Sequence, residues 1–356
     1  MSLSQGRPDD PGGDVGRAAG RPRADGALAL GLVAALLAVG LLAVTSGPAE
    51  IGPGTAVRAI LAGLGLGGAE AVSELHRAIV VELRLPRVVT AACVGAGLGL
   101  CGAVMQGITR NPLADPYLLG LSSGAAVGAV AAILAGAALL LPLGAFLGAL
   151  AALGLTLGLA GALGAITPTR VILAGIAVSA FASAVTSLLI FWSSAGDSYR
   201  EILSWLMGSL AGAGWREAGI AAAALALVGG PVLLIGRALD AFTFGDRAAA
   251  ALGVAVARTR WALLLATALL TGFLVSVSGA IGFVGLVVPN ALRLVVGARH
   301  RQLLPLSALA GAVVLIAADT AARSLFVPRE LPVGIVTAMI GAPAFLAILL
   351  RHRGAT

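Results

Sequence analysis

Apolar residues fall along this chain in long unbroken runs separated by short polar stretches. Ten runs stand out, at 27–46, 88–109, 117–136, 143–163, 171–191, 217–237, 260–279, 281–297, 303–325 and 332–350. A helix needs roughly 20 mostly apolar residues to cross the hydrocarbon of a bilayer, so each run predicts one membrane-spanning helix. Barrel strands would alternate apolar and polar positions, and these runs do not. The expectation is an all-α membrane protein with about ten transmembrane helices.

The polar intervals set the organisation. Residues 1–26 are rich in Gly, Pro, Asp and Arg and read as a disordered tail, too polar for the core of a signal peptide. The domain expected to cross the membrane covers 27–350, and 351–356 form a second short tail. The segment 47–87 reads as a long loop. An even number of spans puts both termini on one side. Fifteen of the 23 arginines fall on that side, which predicts that both tails are cytoplasmic and that the protein is a multi-pass component of the cell membrane. The longest internal loop on that side is 238–259. Within it Asp246 to Leu252 predicts two helical turns, because Asp246 suits the positive end of a helix and Gly253 suits the stop beyond its end.

Composition agrees with a bilayer as solvent. Of 356 residues, 59% are hydrophobic and 11% charged, where soluble domains carry about a quarter; mean hydropathy is +1.03. All 23 basic residues are arginine. A phosphate-binding P-loop needs a lysine, so ATP hydrolysis, if ATP drives this protein, belongs to another subunit. The net charge of +7 is spread over loops and tails and predicts no nucleic-acid partner. Cys93 and Cys101 stand roughly 12 Å apart along one helix, too far for a disulfide. The histidines His76, His300 and His352 lack metal-ligand spacing, and no catalytic set is visible. No metal, cofactor or enzyme activity is expected of this chain.

Identity is carried by several long motifs in order. Arg84-Leu85-Pro86-Arg87 leads into Gly95-Ala96-Gly97-Leu98-Gly99 and Gly102-Ala103-Val104-Met105-Gln106, then Arg110-Asn111-Pro112-Leu113-Ala114-Asp115-Pro116. Leu173-Ala174-Gly175 and Trp205-Leu206-Met207-Gly208 follow, then Leu252-Gly253-Val254. Last come Gly279-Ala280-Ile281-Gly282-Phe283-Val284-Gly285-Leu286-Val287-Val288-Pro289, Ala318-Asp319, and Glu330-Leu331-Pro332-Val333-Gly334. Over roughly 28–350 this set resembles the FecCD-like permeases of ABC importers for ferric siderophores, haem and vitamin B12. The resemblance implies a type II importer fold of ten spans. It also implies a homodimer or a homologous second permease, two ATP-binding subunits on the cytoplasmic side, and an extracytoplasmic binding protein that delivers the cargo. Ferric siderophores are the favoured cargo on that basis, with vitamin B12 and haem as alternatives. An ion-coupled secondary transporter, the reading from another class, would need carboxylates at mid-membrane, but the acids here sit at span ends and in loops. Where the family commonly has histidine, this chain has Asn290.

Candidate site residues follow in part from the resemblance. Asp246, Arg247, Ala249, Leu252 and Gly253 would form the element that couples to the ATPase; the plain alternative is a solvated connector. Arg84, Arg87 and Arg323 would meet acids of the binding protein; the alternative is anchoring to headgroups, or pairing of Arg323 with Asp319 four residues earlier. The turn Thr167-Pro168-Thr169 would be the gate, or simply a capped helix start. Met105, Gln106, Ser179 and Ser183 are the candidates for lining the pathway, although serine in a membrane helix more often bonds backbone. Asn111 and Asp115 read chiefly as turn chemistry.

Overall fold

Continuous apolar runs satisfy their own backbone only as helices, and the computed structural model has no strand among its described residues, which are 22–47, 49, 51–67, 72–162, 167–193, 196–326 and 329–353. Fourteen helical segments follow in order. They are α1 (Pro22–Thr45), α2 (Pro53–Gly63), α3 (Glu74–Thr109), α4 (Leu121–Leu134), α5 (Leu141–Ala162), α6 (Pro168–Trp192) and α7 (Gly196–Leu206). The second half holds α8 (Trp215–Leu234), α9 (Gly236–Thr243), α10 (Asp246–Ala251), α11 (Val256–Ser278), α12 (Val284–Val296), α13 (His300–Ser324) and α14 (Val333–Arg353). Two of them contain a π turn, α3 at Ile79–Arg84 and α8 at Leu225–Gly229, each just before a proline, Pro86 and Pro231. A proline supplies no N–H to the ladder, and a wider turn absorbs the break.

All ten predicted runs contain a helix, but only eight described helices are long and apolar enough to span. The run at 117–136 gives only the 14 residues of α4, and the run at 281–297 only the 13 residues of α12. Backbone before each is irregular: a 3₁₀ turn at Pro116–Leu119, and an open stretch ending at Phe283, whose φ is +69°. Non-helical backbone at depth is tolerated where protein surrounds it, and Ile281 and Leu119 are both almost fully buried. The segment 47–87 is not a plain loop, since it holds α2 and the first turns of α3. Residues 1–21, most of the first predicted tail, and 354–356, half of the second, lie outside the described residues.

The core is built on α3, whose Leu85–Thr109 stretch packs against α13. Glycine permits the approach. A Cβ on Gly95 would stand 2.2 Å from the Gly311 carbonyl oxygen, and one on Gly102 only 1.9 Å from that of Gly285 on α12. Small residues at such crossings are what allow membrane helices to pack without a water-driven force between them. One consequence for function is geometric. Helix α3 joins the cluster around Arg87, more than a third of the way along it, to the turn at Arg110, just past its end, roughly 34 Å away along the axis.

Candidate functional site

At the Arg87 end, the sequence places three arginines where helices begin or stop, and the fold turns all of them inward. Arg84, Arg87 and Arg323 are each under a tenth exposed. Arg84 lies in the π turn of α3 and donates Nη1 to the carbonyls of Val44 and Thr45, at 2.8 and 3.0 Å, and Nη2 to that of Ala49 at 2.9 Å. It thereby caps the end of α1. Arg323 donates to the carbonyls of Ser46, at 3.1 Å, and Ala43. Arg87 grips Asp319 with two nitrogens, Nε to Oδ2 and Nη2 to Oδ1, each at 2.9 Å, and reaches Glu330 with Nη1 at 2.7 Å. The expected pair of Asp319 with Arg323 is therefore secondary, at 3.8 Å. Residue spacing along α13 suggested it, but Arg87 comes across from α3 with a fork that fits the carboxylate. A cavity of ≈ 500 Å³ opens over this cluster, and Arg84, Arg87, Arg323, Glu82 and Glu330 line it.

At the other end, the expected short helix is present as α10, with Gly245 before it and Leu252 at its cap; Gly253 takes a φ of +83°. Its residues divide into two faces. Asp246, its side chain half-exposed, pairs with its own chain: Arg260 Nη2 donates to its Oδ1 at 2.8 Å, and Arg110 stands 3.7 Å away. The Arg260 hydrogen bond, reinforced by the charges of Arg260 and Arg110, holds the Asp246 carboxyl below its ordinary range. Ala249, expected within the coupling element, is wholly buried against its own chain. Arg247, Leu252 and the preceding Phe244 are exposed, Phe244 by 77% and Leu252 by 68%. Before α10, Asp240 of α9 accepts the backbone N–H of His300 at 2.6 Å and lies 3.0 Å from its Nδ1. That contact fastens the loop to the start of α13.

The remaining candidates separate. Thr167 caps α6, with its Oγ1 3.4 Å from the Arg170 N–H, and Pro168 is the first residue of the helix. Thr169 is exposed. Met105 is fully buried, yet it meets Thr167, Val171 and Arg260 around one small cavity. Gln106 turns away to the carbonyls of Gly285 and Leu286, both at 3.3 Å. Ser183 is exposed on α6, 3.5 Å from the hydroxyl of Ser123, while Ser179 is half-buried on the same helix. Asn290 donates to the carbonyls of Pro112 and Leu286, each at 2.8 Å, and accepts from Arg293 at 2.9 Å. An uncharged amide thus fastens α12 to the turn after α3. In that turn Asn111 accepts from the Leu113 N–H and Asp115 from that of Tyr117, the turn chemistry expected. Burial pushes the Asp115 carboxyl up to about 6. No metal-binding cluster exists among the described residues.

Sequence reasoning missed Arg260, Asp240, Phe244 and Glu330. Arg260 opens a predicted span and carries the only visible signal, a cation at the edge of an apolar run.

The profile of the FecCD transport family matches residues 35–351. The chain belongs to that family. It is 47% identical over 285 residues to the cobalamin import system permease protein BtuC of Halobacterium salinarum, covering 79% of this chain and 76% of that one. With the hemin transport system permease protein HmuU of Yersinia pestis it shares 43% over 280 residues, 77% of this chain and 83% of that one. Among solved structures, an inward-facing metal-chelate type ABC transporter superposes with a TM-score of 0.80 at 32% identity, over 92% of this chain and 99% of that chain. This member is an all-helical, multi-pass membrane protein of the importer permease class.

Proposed function

We propose that the chain is the membrane-spanning subunit of an ATP-driven importer for a metal chelate. The match over 92% of the chain to a transporter of metal-chelate type carries the reading. Hydrolysis falls to separate ATP-binding subunits, since the chain has no lysine for a P-loop. Two such subunits, a second copy of the permease and an extracytoplasmic binding protein complete the assembly. The arginine bias supports cytoplasmic termini, which puts α10 on the ATPase side and the Arg87 cavity on the delivery side.

At the ATPase side, the exposed Phe244, Arg247 and Leu252 meet the partner, while Asp246 and Ala249 hold the helix to its own body. At the delivery side, acids of the binding protein would reach Arg87 and Arg323 through the cavity, in competition with Asp319 and Glu330. The relatedness to a cobalamin permease favours cobalamin as the first cargo to test, ahead of haem and the ferric siderophore expected from the sequence. Proteoliposomes holding the permease, its ATPase and its binding protein should take up one of these radiolabelled chelates when ATP is supplied. Absence of ATP-dependent uptake of all three overturns the reading.

A further inference from the structure

Asp246, half-exposed, is held by its own chain, and the side chain that holds it stands at a junction. Arg260, near the start of α11, donates to Asp246 of α10 at 2.8 Å. Its guanidinium carbon lies 5.3 Å from the ring centre of Phe242, at the end of α9. Arg260 also lines a small cavity, among others with Met105 and Ile108 of α3, Val171 of α6 and Thr167 at the α6 cap. One side chain therefore adjoins α9, α10 and the entrance of α6. Its Nε is buried without an acceptor among the described residues. A buried N–H left unpaired is costly and calls for an explanation. Thr167, across the cavity, is exposed, and its hydroxyl accepts the Arg170 N–H over a long 3.4 Å.

We propose that Arg260 is the positioning residue that links α10 to the Thr167 turn. Displacement of α10 carries Asp246 with it and turns the guanidinium. The free Nε–H then meets an acceptor at the entrance of α6. Arginine suits the task because its donors are fixed in one plane and its charge persists. The inference rests on reading α10 as the ATPase-facing element. It adds which side chain conveys the movement, and to where.

The test uses the complete complex in proteoliposomes, with ATP hydrolysis and uptake measured on the same vesicles, using the chelate that the wild type transports. Arg260→Met should lower uptake per ATP hydrolysed about tenfold, the size of coupling losses along packed networks. Arg260→Lys, which keeps the charge but not the fork, should fall between. Asp246→Asn should cause a similar loss. The double variant should be no worse than Arg260→Met, because both changes break one link. A wild-type ratio in Arg260→Met, or additive losses in the double variant, overturns the link. Should Arg260→Met fail to co-purify with the ATPase, Arg260→Lys decides: a reduced ratio supports the link and a wild-type ratio overturns it. A static anchor would lower the yield of complex without moving the ratio. Wild-type vesicles that import no chelate would instead overturn the proposed function.

Discussion

Removing the Asp319 carboxylate should damage the protein far more than removing its neighbour Glu330. Asp319 is 2% exposed and takes two nitrogens of Arg87, with Arg323 Nε 3.8 Å away. Asp319→Ala leaves two buried guanidiniums facing each other with only Glu330, whose side chain is 46% exposed, to answer them. Breaking a buried pair by deleting one partner costs ~3–5 kcal/mol, because the other charge stays buried and uncompensated. The Glu330 contact to Nη1 at 2.7 Å persists, which puts the expected loss near ~3 kcal/mol. Glu330→Gln, by contrast, alters a half-exposed pair and should cost ~0–1 kcal/mol. The assay is the melting midpoint in detergent, read by fluorescence-detected size exclusion. Asp319→Ala should melt roughly 3–4 °C below Glu330→Gln, taking about 1.3 °C per kcal/mol for a chain of 356 residues. Added salt should not close the gap, since buried pairs are screened little. Equal midpoints for the two variants would refute the claim that the Arg87 cluster is held by a buried carboxylate.

Other outcomes follow from the same structure. Leu252→Asp should leave insertion intact and cut co-purification with the ATPase several-fold; Ala249→Trp, at a buried position, should lower the yield of folded permease itself. Gly311→Val places side-chain atoms where the Gly95 carbonyl already lies and should abolish the monodisperse peak in size exclusion. The Asp115 carboxyl is raised from 3.8 to about 6. A carboxyl that is harder to ionise when folded favours the fold below the unfolded value and loses that contribution as pH rises through the folded one. Wild-type melting should therefore fall between pH 4 and 7 by on the order of 1–3 kcal/mol, and Asp115→Asn should flatten the profile. Asp246 shifts the other way. Its pair with Arg260 should persist from pH 5 to 8 and be lost only in acid, below the ordinary carboxylate range.

The spans were legible because lipid imposes one dominant rule, and a run of apolar residues obeys it visibly. The same rule hid the two short helices: buried irregular backbone around Phe283 and Leu119 is as apolar as a helix, so the runs read straight through it. Gly253 and Asp246 marked α10 correctly, since caps are local chemistry. Which face α10 turns inward depends on Arg260 and Arg110, one 14 residues further on and the other 136 residues earlier, and no local pattern carries that. Arginines at span ends suggested docking. The structure occupies them first with the carbonyls at the end of α1 and with Asp319, partners that lie far away in sequence.

Helix lengths are sorted by position. The longest, α3, has 36 residues with 83% of its most apolar window buried, and the short α4 is mostly enclosed as well. The helices least covered by their own chain are Gly26–Thr45 of α1 and Val333–Leu350 of α14, with 11% and 22% of their windows buried. At 1.5 Å per residue these measure roughly 30 and 27 Å, close to the ~30 Å of an average hydrocarbon layer. Mismatch costs a fraction of a kcal/mol for every ångström, but only where lipid touches protein. The buried stretch of α3 and the short α4 are shielded from that cost, and the perimeter helices set the bilayer thickness this protein fits.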